Sequence, residues 1–294
     1  MNITFIGFGE AGGILAHDLQ AQGHVLTVWD RKALEAQSLP ALREKALQSG
    51  VRLAPSLAEA LQSATLVFST VTASQALGVA QQAAPLLKAG QHFLDLNSVA
   101  PHTKRAAADA VGAHGASYID VAVMAPVPPK RLATPLLVGG IQAEAVNALL
   151  LQLGLNSRLL GSEVGEASAI KMCRSIMIKG LEALTTECLS AARQYGVEQA
   201  VLDSLHASFP SLGWDGQLPH YLISRVAEHG QRRAEEMQEV VKTLRDVGVP
   251  PAMSAAIVTT QQGLVDALQA RSLEYQQLTP FVWQETLDKI YPAQ

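Results

Sequence analysis

Three sets of residues have types and spacings suited to chemistry. Gly7, Gly9 and Gly12 form a G-x-G-x-x-G run, with Phe8, Glu10 and Ala11 in its variable places, directly after the apolar stretch 2–6. Gly7 would permit a tight turn, Gly9 a close backbone approach to a pyrophosphate, and Gly12 the packing of helix on strand. The following helix would turn free N–H groups towards the phosphates. Asp30 closes the next apolar stretch, where a carboxylate accepts hydrogen bonds from the adenosine ribose and favours NAD over NADP. Arg31 beside it pulls the other way, since a guanidinium can clamp a 2′-phosphate; it also reads as a solvated loop arginine. Lys171 shares one face of a long expected helix with Ser175 and Glu182, and Arg174 and Lys179 flank it. A lysine beside a nicotinamide can exchange a proton with a substrate oxygen, because desolvation lowers its pKa towards neutrality. By residue type and spacing alone the favoured reading is a lysine snorkelling at a helix edge. The third set is His229, Arg232 and Arg233, the strongest basic cluster, at the expected start of a helix 232–247. Cations there oppose the helix dipole, and a bound carboxylate would resolve the conflict. Pairing with Glu228, Glu235 and Glu236 at the surface is the alternative.

The elements that must position these residues follow from periodicity. Apolar stretches at 2–6, 25–29, 65–70, 92–96, 117–123, 135–138 and 157–160 read as strands, and helical spacing fills 74–87, a segment opened near Pro101, and 143–153. Alternating strand and helix predicts a Rossmann-type α/β domain over 1–162, with ligands at the carboxyl ends of the strands. That rule gathers Thr70, Val71, Thr72, Asn97, Ser98 and the loop after Val123, which begins at Met124, around one crevice. From 163 to 294 only helices are expected: 165–196, 197–207, 218–227, 232–247 and 252–268. The first of these would be about 45 Å long and would join the two domains. Its apolar positions, Ile170, Cys173, Met177, Leu181, Leu184, Cys188, Ala192 and Tyr195, recur at steps of three and four, and the helix is expected to be mostly buried.

The chain has 294 residues, 48% of them apolar, and a net charge of −4. Two domains with cores are within reach, and nothing in the charge invites nucleic acid or an acidic membrane. Cys173 and Cys188 stand about 22 Å apart on one helix, beyond disulfide reach. With no targeting segment and no apolar run of spanning length, a cytoplasmic protein is expected. No metal-ligand spacing is present. Helices in the second domain carry wide apolar arcs, for example Met253, Ala256, Ile257, Thr260 and Leu264, which predicts a homodimer or larger assembly.

On these motifs the chain resembles the β-hydroxyacid dehydrogenase family, which includes 6-phosphogluconate dehydrogenase and 3-hydroxyisobutyrate dehydrogenase. That family opens with G-x-G-x-x-G and carries D-x-S-T-x-x-P, matched by Asp95-Leu96-Asn97-Ser98-Val99-Ala100-Pro101. Its substrate segment D-A-P-V-S-G-G corresponds to Asp120-Val121-Ala122-Val123-Met124-Ala125-Pro126, and its later V-G-G to Val138-Gly139-Gly140. Its helix motif G-x-G-x-x-x-K-x-x-x-N places Gly165, Ala167, Lys171 and Ser175. The resemblance implies hydride transfer between NAD or NADP and a small anionic hydroxy or oxo acid, with Lys171 as general acid/base. Met124-Ala125-Pro126 departs from the Ser-Gly-Gly that helps hold the carboxylate, Ser175 replaces an asparagine, and Ile178 a glutamate. The substrate of 6-phosphogluconate dehydrogenase is therefore not carried over. In its place Arg232 or Arg233 is expected to anchor the acid, with Ser98 and Arg174 assisting. Imine reductases share the architecture but replace the lysine, and a catalytically silent NAD-binding protein is the other alternative.

Overall fold

A computed structural model describes residues 1–291; 292–294, the end of the expected helical domain, lie outside the described residues. The chain divides into two compact units, Met1–Met172 and Cys173–Gln294. The division falls inside a long helix, whereas the sequence predicts a boundary at 162, ahead of that helix.

The first unit is built on one sheet. Its elements run β1 (Asn2–Ile6), α1 (Glu10–Ala21), β2 (Val25–Trp29), α2 (Leu39–Gln48), β3 (Arg52–Leu53), α3 (Leu57–Leu61), β4 (Leu66–Ser69) and α4 (Ala76–Ala83). They continue with β5 (His92–Asp95), α5 (Pro101–Gly112), β6 (Ser117–Val123), α6 (Val127–Lys130), β7 (Leu136–Gly139), α7 (Ala143–Gln152) and β8 (Ser157–Gly161). The strand order is β3-β2-β1-β4-β5-β6-β7-β8, parallel throughout except where β7 pairs antiparallel with β6. Both sheet faces are covered, so the central strands are continuous apolar runs rather than alternating ones. Successive residues feed opposite cores: Phe5, Phe68, Leu94 and Ile119 on one side, Ile6, Val67, Phe93 and Tyr118 on the other. Phe5 stacks on Phe68 and Phe93 on Tyr118. Residues 31–64, for which periodicity predicts no element, form α2, α3 and the two-residue edge strand β3.

Register fixes where chemistry can sit. Trp29, Ile6, Ser69, Asp95 and Asp120 are Cα partners in one row across five parallel strands. Asp30, Gly7 and Thr70, which follow directly, and Asn97 and Ser98, which follow Leu96, leave the sheet at the same carboxyl edge, while β6 runs on to Val123.

The helix α8 (Glu166–Gln194) crosses the division between the units. The second unit contains its later turns and α9 (Glu198–Ser208), α10 (Leu218–Asp246), α11 (Ala252–Gln269) and α12 (Trp283–Ile290). Leu189, Ile223, Val226, Leu264, Leu268, Trp283, Leu287 and Ile290 make its core. Two expectations are corrected here. Helices 218–227 and 232–247 are one uninterrupted helix, α10. Gly230 does not break it; a Cβ there would collide with the Gln261 carbonyl, so this glycine lets α10 and α11 approach closely. The long helix is also not buried along its apolar stripe. Met177 is 67% and Leu184 58% exposed, with Ile178, Leu181, Cys173 and Cys188 also exposed, whereas Ser175, Lys179, Glu182 and Thr186 are buried. Lys179 and Glu182 turn inward because α10 and α11 supply partners for them, and the Thr186 hydroxyl donates to the Glu182 carbonyl of its own helix.

Candidate active site

The glycine run forms an open cradle. Gly7 has φ +92°, and a Cβ there would lie 2.5 Å from the Thr70 carbonyl, so this turn excludes other residues. At Gly12 a Cβ would strike the Gly7 carbonyl and the Thr70 hydroxyl. At Gly9 it would meet nothing within 4 Å, leaving a bare face at the start of α1. Gly9 is the N-cap of α1 and brings no side-chain acceptor. Free helix N–H groups, no capping side chain and space in front of them suit a bound phosphate, and a dinucleotide's pyrophosphate fits that cradle. Thr70 Oγ1 donates to the Gly7 carbonyl at 2.8 Å and so ties β4 to the turn.

Asp30 is engaged by the protein itself. Its Oδ2 accepts from the Phe8 N–H at 2.8 Å and its Oδ1 from the Lys32 N–H at 3.0 Å. The carboxylate therefore holds the turn and caps the short helix Arg31–Leu34, and each oxygen keeps a lone pair for a ligand. Arg31 and Glu10 are exposed, and Ala11 is half-buried.

Along the same edge lies a buried polar network. Lys104, fully buried on α5, donates to the Asp95 carbonyl at 2.6 Å and pairs with Asp95 Oδ1 at 3.1 Å and Asp120 Oδ1 at 3.4 Å. The Tyr118 hydroxyl donates to Asp95 Oδ2 at 2.7 Å; burial, and then the carboxylate beside it, push its pKa well up, so it stays a donor. Asp95 Oδ1 also accepts from the Asn97 backbone at 2.9 Å and from its side chain at 2.7 Å. Asn97 Oδ1 in turn accepts from the Val71 N–H at 2.7 Å. Asp120 meets the other side of the site: its Oδ2 accepts from the backbone N–H groups of Gly165 and Ser168, and its Oδ1 from the Ser168 hydroxyl. A strand carboxylate thereby caps α8 across a separation of some 45 residues.

One turn beyond Ser168, half-buried Lys171 donates from Nζ to Ser98 Oγ at 2.6 Å. The network thus fixes both partners, Ser98 through Asp95 and Asn97, and Lys171 through Asp120 and the start of α8. Met124 packs against Ala122, Leu137 and Ala167, giving this edge an apolar wall. Thr72 caps the turn after β4, its hydroxyl 3.3 Å from that of Ser74.

The remaining expected substrate residues belong to the second unit. Arg174 is exposed and Ser175 buried. His229, Arg232 and Arg233 lie in the middle of α10, so no helix N-terminus accompanies them and the conflict with the helix dipole disappears. Arg232 pairs with Glu236 at 2.5 Å, and buried Arg233 with Glu182 at 2.7 Å. Gln261 donates to Glu182 at 3.0 Å, and Lys179 pairs with Glu236 at 2.7 Å. Burial raises the Glu182 pKa, against the pull of Arg233. Burial, reinforced by Arg225, Arg232 and Arg233, lowers that of His229 to about 4.

Sequence reasoning missed Lys45, Lys104, Tyr118 and Ser168. Asp95 and Asp120 stood in the quoted motifs without a role. Lys104 had one legible signal, a cation one turn into the helix that the Asp95–Pro101 motif opens.

A family model described as the NAD binding domain of 6-phosphogluconate dehydrogenase matches residues 2–159, more than half of the chain, and one described as a domain of unknown function matches 192–264. The 3-hydroxyisobutyrate dehydrogenase of Pseudomonas aeruginosa is 28% identical over 220 residues, covering 72% of this chain and 71% of that one. The structure of a conserved hypothetical protein from Sinorhizobium meliloti is similar with a TM-score of 0.77 and 37% identity, over 99% of this chain and 96% of that one. A reductive aminase from Aspergillus terreus, solved in complex with NADPH and ethyl levulinate, shares the fold at a TM-score of 0.58 and 20% identity, over 96% and 99% of the two chains.

Proposed function

The chain belongs to the family of the NAD binding domain of 6-phosphogluconate dehydrogenase, and from that membership we propose an oxidoreductase that interconverts a small anionic hydroxy acid and its oxo acid. The observation that carries the proposal is the contact of Lys171 Nζ with Ser98 Oγ at 2.6 Å, at the sheet edge that also carries the phosphate cradle. When bound, the nicotinamide cofactor supplies or takes the hydride. Lys171 gives the matching proton to the substrate oxygen during reduction and takes it back during oxidation. Ser98 accepts a hydrogen bond from the ammonium and turns its own proton to the same substrate oxygen, while Asn97 holds the Val71 backbone beside it. Between turnovers the half-buried Lys171 exchanges that proton with solvent, and Met124 with its apolar neighbours walls one side of the edge.

NAD is the preferred cofactor on this reading, because the Asp30 carboxylate repels a 2′-phosphate. The working form is a homodimer, supported by the exposed apolar stripe Met177, Leu181 and Leu184 on a helix whose polar face is buried. Light scattering at micromolar concentration checks it, and a monomeric mass would remove it. Turnover is tested by following NADH and NADPH absorbance across a panel of hydroxy acids, oxo acids and cyclic imines. Reaction with an acid is expected. Reduction of imines alone would replace the substrate class, and cofactor binding without turnover would replace the enzyme by a silent binding protein.

A further inference from the structure

Residues 31–64 carry no motif, yet α2 delivers a charged side chain to the phosphate cradle. Lys45 Nζ donates to the Phe8 carbonyl at 2.7 Å and to the Gly9 carbonyl at 2.9 Å, and lies 4.6 Å from the centroid of the Phe8 ring. The Phe8 N–H is meanwhile held by Asp30 Oδ2 at 2.8 Å. One residue of the cradle is therefore gripped at both ends, by a carboxylate on its N–H and an ammonium on its C=O. Gly13 leaves room for the grip, since a Cβ there would come 3.0 Å from Lys45 Cε and Nζ.

Peptide geometry turns this grip into a consequence for the ligand. In a trans peptide the N–H points opposite to the C=O. A cation drawing in the carbonyls of Phe8 and Gly9 turns the N–H groups of Gly9 and Glu10 the other way, away from Lys45. It also screens two carbonyl dipoles that would repel an incoming phosphate. We propose that Lys45 is a positioning residue for the dinucleotide, presetting the Phe8–Gly9 turn so that its N–H groups meet the pyrophosphate without rearrangement. The inference rests on the nicotinamide-binding reading, and Lys45 itself touches the protein backbone rather than the reacting atoms.

The grip requires a charged amine. Burial lowers the Lys45 pKa, with Lys32 acting in the same direction and Asp30 and Glu10 opposing. The charge is then lost at lower pH than on a surface lysine, and the preset turn loosens with it.

The test is NADH titration, followed by quenching of protein fluorescence from pH 7 to 10, on the unaltered protein, Lys45→Met and Lys45→Gln. Circular dichroism of each confirms the fold. At pH 7 both variants are expected to bind NADH about tenfold more weakly, the scale of one hydrogen bond to a charged group. The unaltered protein should lose affinity as pH rises through the lysine titration, and both variants should lack that alkaline fall. A loss of mere structural integrity would lower affinity without removing the pH dependence. Variants within twofold of the unaltered protein, or weaker by a constant factor with the alkaline fall intact, overturn the proposal. An unaltered protein that binds neither NADH nor NADPH overturns the cofactor reading itself, a result visible before any variant is made.

Discussion

Lys104→Met removes one cation from between two buried carboxylates while keeping the length of the side chain. Lys104 and Asp120 are fully inaccessible and Asp95 1% exposed, and the ammonium is within 3.4 Å of both carboxylates and 2.6 Å from a carbonyl. Removing one partner of a buried ion pair costs about 3–5 kcal/mol, because the remaining charge stays desolvated. At about 1.4 kcal/mol per decade this is on the order of 10²- to 10⁴-fold in the local opening constant. The amides that report it are named by the geometry: Asn97, which donates to Asp95, and Gly165 and Ser168, which donate to Asp120. Hydrogen exchange followed by mass spectrometry should show these segments losing protection by that factor, up to the ceiling set by global unfolding. The strands β1 and β2, which carry neither Asp95 nor Asp120, should change less. If the peptides around 95–98 and 165–171 keep their protection within threefold, Lys104 does not hold the site together and the account of how Ser98 and Lys171 meet is wrong.

Asp30→Ala should narrow or invert the proposed preference for NADH over NADPH, and should also weaken both, because the Phe8 N–H loses its acceptor; fluorescence titration of both cofactors checks this. Gly230→Ala should destabilise the second unit by about 1–3 kcal/mol or more, the cost of overpacking, since its methyl meets the Gln261 carbonyl and Val265; thermal denaturation measures it. His229 stays neutral in the fold because burial lowers its pKa to about 4 from the ordinary 6.5. The unfolded chain therefore takes up the proton first, and stability should fall as pH drops from 6.5 towards 4. His229→Gln should flatten that limb in urea titrations run across the range.

What was legible in the sequence had local grammar. The glycine run, the closing Asp30 and the alternation of apolar stretches with helical spacing each depend on near neighbours, and they specify a doubly covered parallel sheet with its ligand edge. Lys171 and Ser98 could be named because each sits in a motif, although the 2.6 Å contact between them spans 73 positions. Side chains whose roles depend on register were not legible. Asp95 and Asp120 are adjacent only because β5 pairs with β6 residue for residue, and Lys104 gains its role from that adjacency. Lys45 lies in a segment without periodic signal and reaches the cradle only once α2 packs beside it. In the second unit, composition misled. The periodicity of 218–227 and 232–247 hides one continuous helix in which Gly230 is a contact point with α11, and of the two readings open for Arg232 and Arg233 the structure contains ion pairs, with Glu236 and with Glu182. The polarity of α8 is inverted for the same reason, since Lys179 and Glu182 have partners that lie 51 to 82 positions away.

The central claim is that Lys171 carries the proton and contributes little to holding the cofactor. It is tested most directly by comparing Lys171→Met with the unaltered protein on the best substrate of the panel, alongside NADH titration of both. Turnover should fall about 10²- to 10⁴-fold, the range for a general acid/base, with NADH affinity unchanged within twofold. A variant that keeps most of its turnover, or one that loses NADH binding in proportion to its activity, would contradict the account.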